Sequence, residues 1–233
     1  MKTKLSLILL LFLSFQPLVA QTFFDNVTVF VSKYVENERV DYSAIRQNSE
    51  LLDSLIANIA TMDTSTMDLT TLKAFYINSY NLLVIDLVLA YYPIESCLEI
   101  DGFFDKVKHL MAGDSITLDQ IEKSRLKPMG DEKVHFALVC ASLSCPPLDA
   151  FTPENVDLSL NLIRVNYINS DKAVIITEDK RVLISRIFDW YQDDFLQHAP
   201  SLREYINFFR YKSLPKKVDL EYQPYDWALN DLR

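Results

Sequence analysis

Apolar residues recur at helical spacing in several stretches of the chain. Residues 24–35 and 49–60 each carry apolar side chains every three or four positions, which predicts two amphipathic helices. The run over residues 71–92 differs, because it is apolar on almost all sides before Pro93 ends it. A helix of this kind lies either at the centre of a core or in lipid.

Polar side chains within that run decide between the two environments. Asn78, Asn81 and Asp86 would be costly in a bilayer, so the pattern predicts a buried central helix in a soluble fold. Asn78 and Asn81 are three positions apart and therefore neighbours on one helix face. Two interpretations of these amides stay open: they bond the backbone of neighbouring segments, or they line a pocket for a polar ligand with Tyr76 and Tyr80 as aromatic walls.

Short apolar segments bounded by polar residues predict strands in the second half of the chain. Residues 134–140 have the pattern of a buried strand, and residues 173–177 and 181–184 flank a turn as a strand pair. With the helices, these segments predict an α+β fold. It is a helix-rich single domain with a central buried helix and a small, mostly antiparallel sheet.

Composition and charge exclude several functions. The chain has 233 residues and a net charge of −9, which argues against binding to nucleic acid or to an anionic membrane surface. Its three glycines are too far apart for a phosphate-binding loop, so no nucleotide site is expected and no cofactor is predicted.

The amino terminus resembles a secretory signal. Residues 1–20 combine a short basic start, an apolar run over residues 5–15, and Ala20 before the expected cut. The apolar run is too short for a membrane span, although an uncleaved anchor remains the alternative. We therefore expect residues 21–233 to be one globular domain that is exported to the periplasm or secreted, with no membrane span after cleavage.

Cysteine and histidine chemistry centres on one block. His135 precedes Cys140 and Cys145, and a thiol beside an imidazole is the minimum set for thiol catalysis. In a regular strand His135 and Cys140 face opposite sides about 16 Å apart, so Cys145, beyond a turn, is the better nucleophile. The competing interpretation is a disulfide between Cys140 and Cys145, which leaves Cys97 as the unpaired cysteine.

A metal site is not predicted. The chain has three histidines, His109, His135 and His198, and none has the spacing of a zinc motif.

Several sequence blocks together resemble a known family. They are Lys73–Asn81, Ile116–Glu122, His135–Pro147, Ile187–Tyr191 and Tyr225–Asn230. In this order they are similar to the blocks of the domain of unknown function 547 family, although that family has Trp where this chain has Tyr76. The resemblance implies motif positions at Asn78, Tyr80, Asn81, His135, Cys140 and Cys145, and it implies no reaction.

Two functional hypotheses follow from these residues. In the first, the protein is a binding domain of unknown role, whose partner is a small polar ligand or another protein, and whose pocket is formed by His135, Cys145, Asn78 and Asn81, with Tyr80 as a wall. In the alternative, it is a hydrolase or transferase acting on an amide or ester. Cys145 is then the nucleophile, His135 the base, and Asn78 or Asn81 orients the base or the oxyanion.

Overall fold

The computed structural model describes residues 16–232, with side chains from residue 20 onward. The helices are α1 Gln16–Tyr34, α2 Tyr42–Gln47, α3 Glu50–Thr61, α4 Leu69–Tyr91, α5 Leu118–Ile121, α6 Val156–Ile168, α7 Ile187–Trp190, α8 Gln192–Phe195 and α9 Leu202–Phe209. The strands are β1 Val35–Glu36, β2 Arg39–Val40, β3 His109–Met111, β4 Asp114–Ile116, β5 Val174–Ile176, β6 Val182–Ile184 and β7 Leu220–Tyr222.

The strands form three small sheets around the helices. Strand β1 pairs with β2, β3 with β4, and β5 with β6, all antiparallel, whereas β7 joins β6 in parallel. The predicted strand pair over residues 173–184 is confirmed as β5 and β6. The structure therefore confirms a helix-rich α+β fold with mostly antiparallel pairing.

Helix α4 is the predicted central helix. The Asp68 side chain accepts a hydrogen bond from the Thr71 amide at 2.8 Å and caps its start. Almost every side chain from Ala74 to Val88 is buried. Within the described residues, α4 is the one helix long and apolar enough to cross a membrane by length and composition, but 78% of its most apolar window is buried in the fold, as in a core helix.

Two asparagines on α4 hold an irregular segment against the core. Asn78 donates to the Phe151 carbonyl at 2.6 Å and accepts from the Phe151 amide at 3.1 Å. Asn81 donates to the Ala137 carbonyl at 2.9 Å and accepts from the Val139 amide at 3.0 Å. Each amide satisfies one buried carbonyl and one buried N–H that have no strand partner.

The prediction of a strand over residues 134–140 is wrong. The segment begins as a 3₁₀ helix, Glu132–Phe136, capped by the Asp131 side chain, and continues as irregular chain. Its backbone groups bond Asn81 instead of a neighbouring strand. A short apolar run does not distinguish a buried strand from another buried segment, so strand alternation does not apply to His135 and Cys140.

The carboxyl-terminal tail ties distant parts of the chain together. Asn230 donates its amide to the Ala141 carbonyl at 3.0 Å and accepts at its own carbonyl from the Val40 amide at 2.9 Å. Its side-chain oxygen accepts from the buried Tyr42 hydroxyl at 2.9 Å. These bonds hold the segment that carries Tyr225 and Trp227 against residues 141–144.

The predicted signal lies largely outside the described residues. Only its last part is described, and Gln16–Ala20 form the start of helix α1. Cleavage after Ala20 stays a prediction.

Removal of the Asn81 amide tests its role in holding the irregular segment. In Asn81→Ala, the Ala137 carbonyl and the Val139 amide lose their partner while both stay buried. We expect the free energy of unfolding to fall by about 2–4 kcal/mol, measured by urea denaturation.

Asn58→Ala is the matched control, because the Asn58 side chain bonds only a carbonyl of its own helix at the surface. It should change the unfolding free energy by no more than about 0.5 kcal/mol. Equal effects of the two substitutions would contradict the role assigned to Asn81.

Candidate functional site

A cavity of about 440 Å³ opens beside the 3₁₀ helix that carries His135. Its walls come from α4, the segment after α5, α7, residues 138–146 and the carboxyl-terminal tail. The lining residues are Tyr80, Phe104, Asp119, Glu122, Lys123, His135, Leu138, Val139, Cys140, Pro146, Ile187, Trp190, Tyr191, Tyr225 and Trp227. Most of this lining is apolar or aromatic, with a few polar groups, as is usual for small-molecule sites.

His135 is held rigidly on two sides. Its Nε2 lies 3.0 Å from the Asp194 Oδ2 on α8, and its ring stacks on Tyr191 with centroids 3.7 Å apart. Lys127 pairs with the other Asp194 oxygen at 3.2 Å. The imidazole therefore has one fixed orientation against the cavity wall.

The second ring nitrogen of His135, Nδ1, is buried. Among the described residues, its buried Nδ1 has no hydrogen-bond partner. Burial lowers the pKa of His135 below its ordinary value, although Asp194 opposes part of that shift. In the neutral ring the hydrogen on Nε2 bonds Asp194, and the lone pair of Nδ1 is enclosed in the fold.

A half-buried carboxyl lies on the same cavity. Thr117 and Gln120 cap α5 reciprocally, and the helix continues as a π-helical turn, Glu122–Leu126, which places Glu122 at the wall. Burial raises the pKa of Glu122, and the nearby Tyr191 hydroxyl, Lys123 and Lys127 oppose part of that shift. Perturbed titratable groups that share one cleft are typical of functional sites.

Three aromatic rings form the outer wall of the cavity. The Tyr225 ring centroid lies 4.8 Å from that of Trp190 and 4.7 Å from that of Trp227. The two indole rings are 5.7 Å apart, and Trp190 is 47% exposed at the rim. The rings offer large apolar and π surface to a ligand.

Cys140 and Cys145 form a disulfide, with their Cα atoms 6.3 Å apart. Cys140 lines the cavity, and the Tyr225 hydroxyl lies 3.1 Å from its Sγ. Cys145 is buried behind it, outside the lining. In this bonded state Cys145 has no thiolate for a nucleophilic attack.

The structure brings together only part of the predicted site. Tyr80, His135 and Cys140 line one cavity. The side chains of Asn78 and Asn81 bond backbone groups and do not line this cavity. The predicted pocket of His135, Cys145 and the two amides is therefore replaced by one with aromatic walls and Glu122.

Sequence reasoning missed most of the cavity. No local sequence pattern indicated Asp194 as a site residue, because its partner His135 is 59 residues away in the chain. Glu122, Trp190, Tyr191 and Trp227 were already present in the quoted family blocks, but only as motif residues. The sequence feature that could have indicated the aromatic wall is the high aromatic content of the blocks Ile187–Tyr191 and Tyr225–Asn230.

Within the described part of the chain, no cluster of three or more His, Cys, Asp or Glu side chains is placed to hold a metal ion.

Cys97 is a free cysteine, fully buried, and burial raises its pKa to about 11. A thiol with this pKa stays protonated at neutral pH and is not a nucleophile.

Comparison with known families identifies the central part of the chain. Residues 64–168 match the family model described as protein of unknown function, DUF547. This match supports a DUF547 family domain over residues 64–168. The matched DUF547 segment contains α4, Glu122, His135 and the disulfide, whereas Trp190, Tyr225 and Trp227 follow it in the chain. Neither the curated proteins nor the solved structures provide a match.

The protonation state of His135 gives a pH-dependent prediction. Because burial outweighs Asp194, its ring should titrate below pH 6.5 and remain neutral at pH 7. Unfolding should then become easier as the pH falls below about 6.5, since the unfolded chain takes up the His135 proton first. Ring-proton NMR measures the midpoint, with His135→Gln identifying the resonance.

Asp194→Asn tests the direction in which Asp194 shifts the pKa of His135. Removing the carboxylate that raises the pKa of His135 should move the midpoint lower still. A midpoint above 6.5 in the unsubstituted protein would mean that the Asp194 interaction outweighs burial, contrary to this prediction.

Proposed function

We propose that this protein is a binding domain that takes a small ligand in the cavity beside His135. The observation that carries this proposal is a cavity of about 440 Å³ with aromatic walls, on which the His135 ring is held in place by Asp194 and Tyr191. A preformed, largely apolar cavity with a few fixed polar groups is typical of small-molecule sites.

The size and walls of the cavity support the same proposal. A volume of about 440 Å³ lies within the range of small-molecule sites. Trp190, Tyr225 and Trp227 would cover the apolar part of a ligand, and Glu122 would lie beside its polar part. The ligand we propose therefore has an apolar body and at least one hydrogen-bond donor.

The alternative of a cysteine hydrolase or transferase has less support. Cys145 would have to be released from its bond to Cys140 before it could attack an amide or ester. The two asparagines that were candidates for the oxyanion site already bond backbone groups. A binding role requires neither change.

The site of action that we propose is outside the cytoplasm. A signal-like sequence at residues 1–20 supports it, and so does the Cys140–Cys145 disulfide, since such bonds persist in oxidising compartments.

Intact-mass measurement tests both the location and the disulfide. Protein recovered from the periplasm or medium should begin at Gln21. After unfolding without reductant it should accept one alkyl group, at Cys97, and after reduction it should accept three. Recovery of uncut chain from the cytoplasm with three free thiols would contradict the proposed location.

Tryptophan fluorescence tests ligand binding directly. The chain has two tryptophans, and both line the cavity, so their emission reports its occupancy. We expect benzyl alcohol or benzylamine, each of which carries a hydrogen-bond donor, to change the emission saturably, and phenylacetate, which carries none at neutral pH, to bind more weakly. Trp227→Ala should weaken that binding about tenfold, because it removes one aromatic wall.

Tyr211→Ala is the matched control. Tyr211 is also aromatic, but it is 82% exposed and lies outside the cavity lining, so its loss should leave the affinity unchanged. The binding proposal fails if none of the three probes gives a saturable change, or if Trp227→Ala binds as tightly as the unsubstituted protein.

A further inference from the structure

The polar groups on the cavity wall are nearly all electron-rich. Asp119 and Glu122 are carboxyls, and burial lowers the pKa of His135, which favours the uncharged ring. Of the described residues that line the cavity, Lys123 has the one cationic side chain. Its Nζ lies 2.7 Å from the Asp119 Oδ1, so each neutralises the other.

After Lys123 and Asp119 have paired, the Glu122 carboxylate is the remaining charged side chain on the cavity wall. Lys123 and Lys127 also attract this carboxyl, but their ammonium groups pair with Asp119 and Asp194, and burial still raises the pKa of Glu122. A partly buried carboxylate with no ion pair of its own is costly, and a positive charge beside it reduces that cost. A ligand that brings one positive charge would therefore complement this wall.

The aromatic wall also favours a positively charged ligand. The faces of Trp and Tyr rings attract cations within about 6 Å of the ring centroid, and ligands with a quaternary ammonium group are bound in this way. Trp190, Tyr225 and Trp227 lie within 5.7 Å of one another, so a small cation that reaches one ring lies near the others.

We propose that the ligand of this cavity is a small organic cation, a substituted ammonium compound. Its ammonium group lies against the Trp190, Tyr225 and Trp227 rings with Glu122 as counter-ion. This inference rests on the proposed binding function and specifies the class of ligand for the same cavity.

The test compares two probes of the same shape and different charge. Choline and 3,3-dimethylbutan-1-ol differ in a nitrogen replaced by carbon, and both carry a hydroxyl. We expect choline to change the tryptophan emission with an affinity at least about tenfold higher than that of the neutral alcohol, the range of a cation–π contact with a desolvated ion.

Glu122→Gln tests the counter-ion with little change of shape. It should weaken choline binding about fivefold or more and leave the affinity for the neutral alcohol unchanged. Glu178→Gln is the matched control, because Glu178 is exposed in the β5–β6 turn and lies outside the cavity lining. It should leave both affinities unchanged, and thermal unfolding should confirm that both variants are folded.

The outcomes separate this inference from the function on which it rests. Equal binding of the two probes, or preference for the neutral alcohol, would overturn the cation inference and leave the binding function intact. Unchanged choline affinity in Glu122→Gln would overturn the role of Glu122 as counter-ion. Absence of a saturable change with either probe, and with the three phenyl probes as well, would overturn the binding function itself.

Discussion

The arrangement of the cavity depends on polar side chains that project from an otherwise apolar helix. Asn78 and Asn81 each bond one backbone carbonyl and one backbone N–H of the segment that follows His135. Nearer the start of the same helix, Lys73 pairs with Asp131, the residue that caps the 3₁₀ helix carrying His135. Irregular backbone inside a core needs such partners, because its polar groups have neither water nor a neighbouring strand.

This constraint explains why a segment without regular structure can form one wall of a site. Held at Ala137, Val139 and Phe151, residues 137–151 follow a single path over α4. The disulfide and the bonds from the carboxyl-terminal tail hold the middle of the same segment. His135 and Cys140 consequently keep fixed positions relative to Tyr80 on α4, and a rigid wall reduces the entropy cost of binding a ligand.

The functional residues were visible in the sequence to different degrees. His135 and Tyr80 stood out by residue type and by motif, and both line the cavity. Asn78 and Asn81 stood out equally, but their partners are backbone groups 56 to 73 residues away in the chain. Nothing local to an asparagine distinguishes an amide that bonds backbone from one that bonds a ligand. Asp194 and Glu122 became site residues only because the fold brings α8 and the turn after α5 to His135.

The amino-acid sequence by itself determined the elements whose signal is local. A helix that is apolar on almost all sides but carries Asn78, Asn81 and Asp86 was predictable as the core of an α+β fold. Two cysteines five positions apart were predictable as a possible bridge. Tertiary structure alone decided the conformation of residues 134–140, the partners of the amides and the membership of the cavity. The physical reason is the distance along the chain over which each feature is determined. Hydrophobic periodicity is a pattern within a few helical turns. Hydrogen-bond partners and cavity walls depend on which distant segments the packed core brings together.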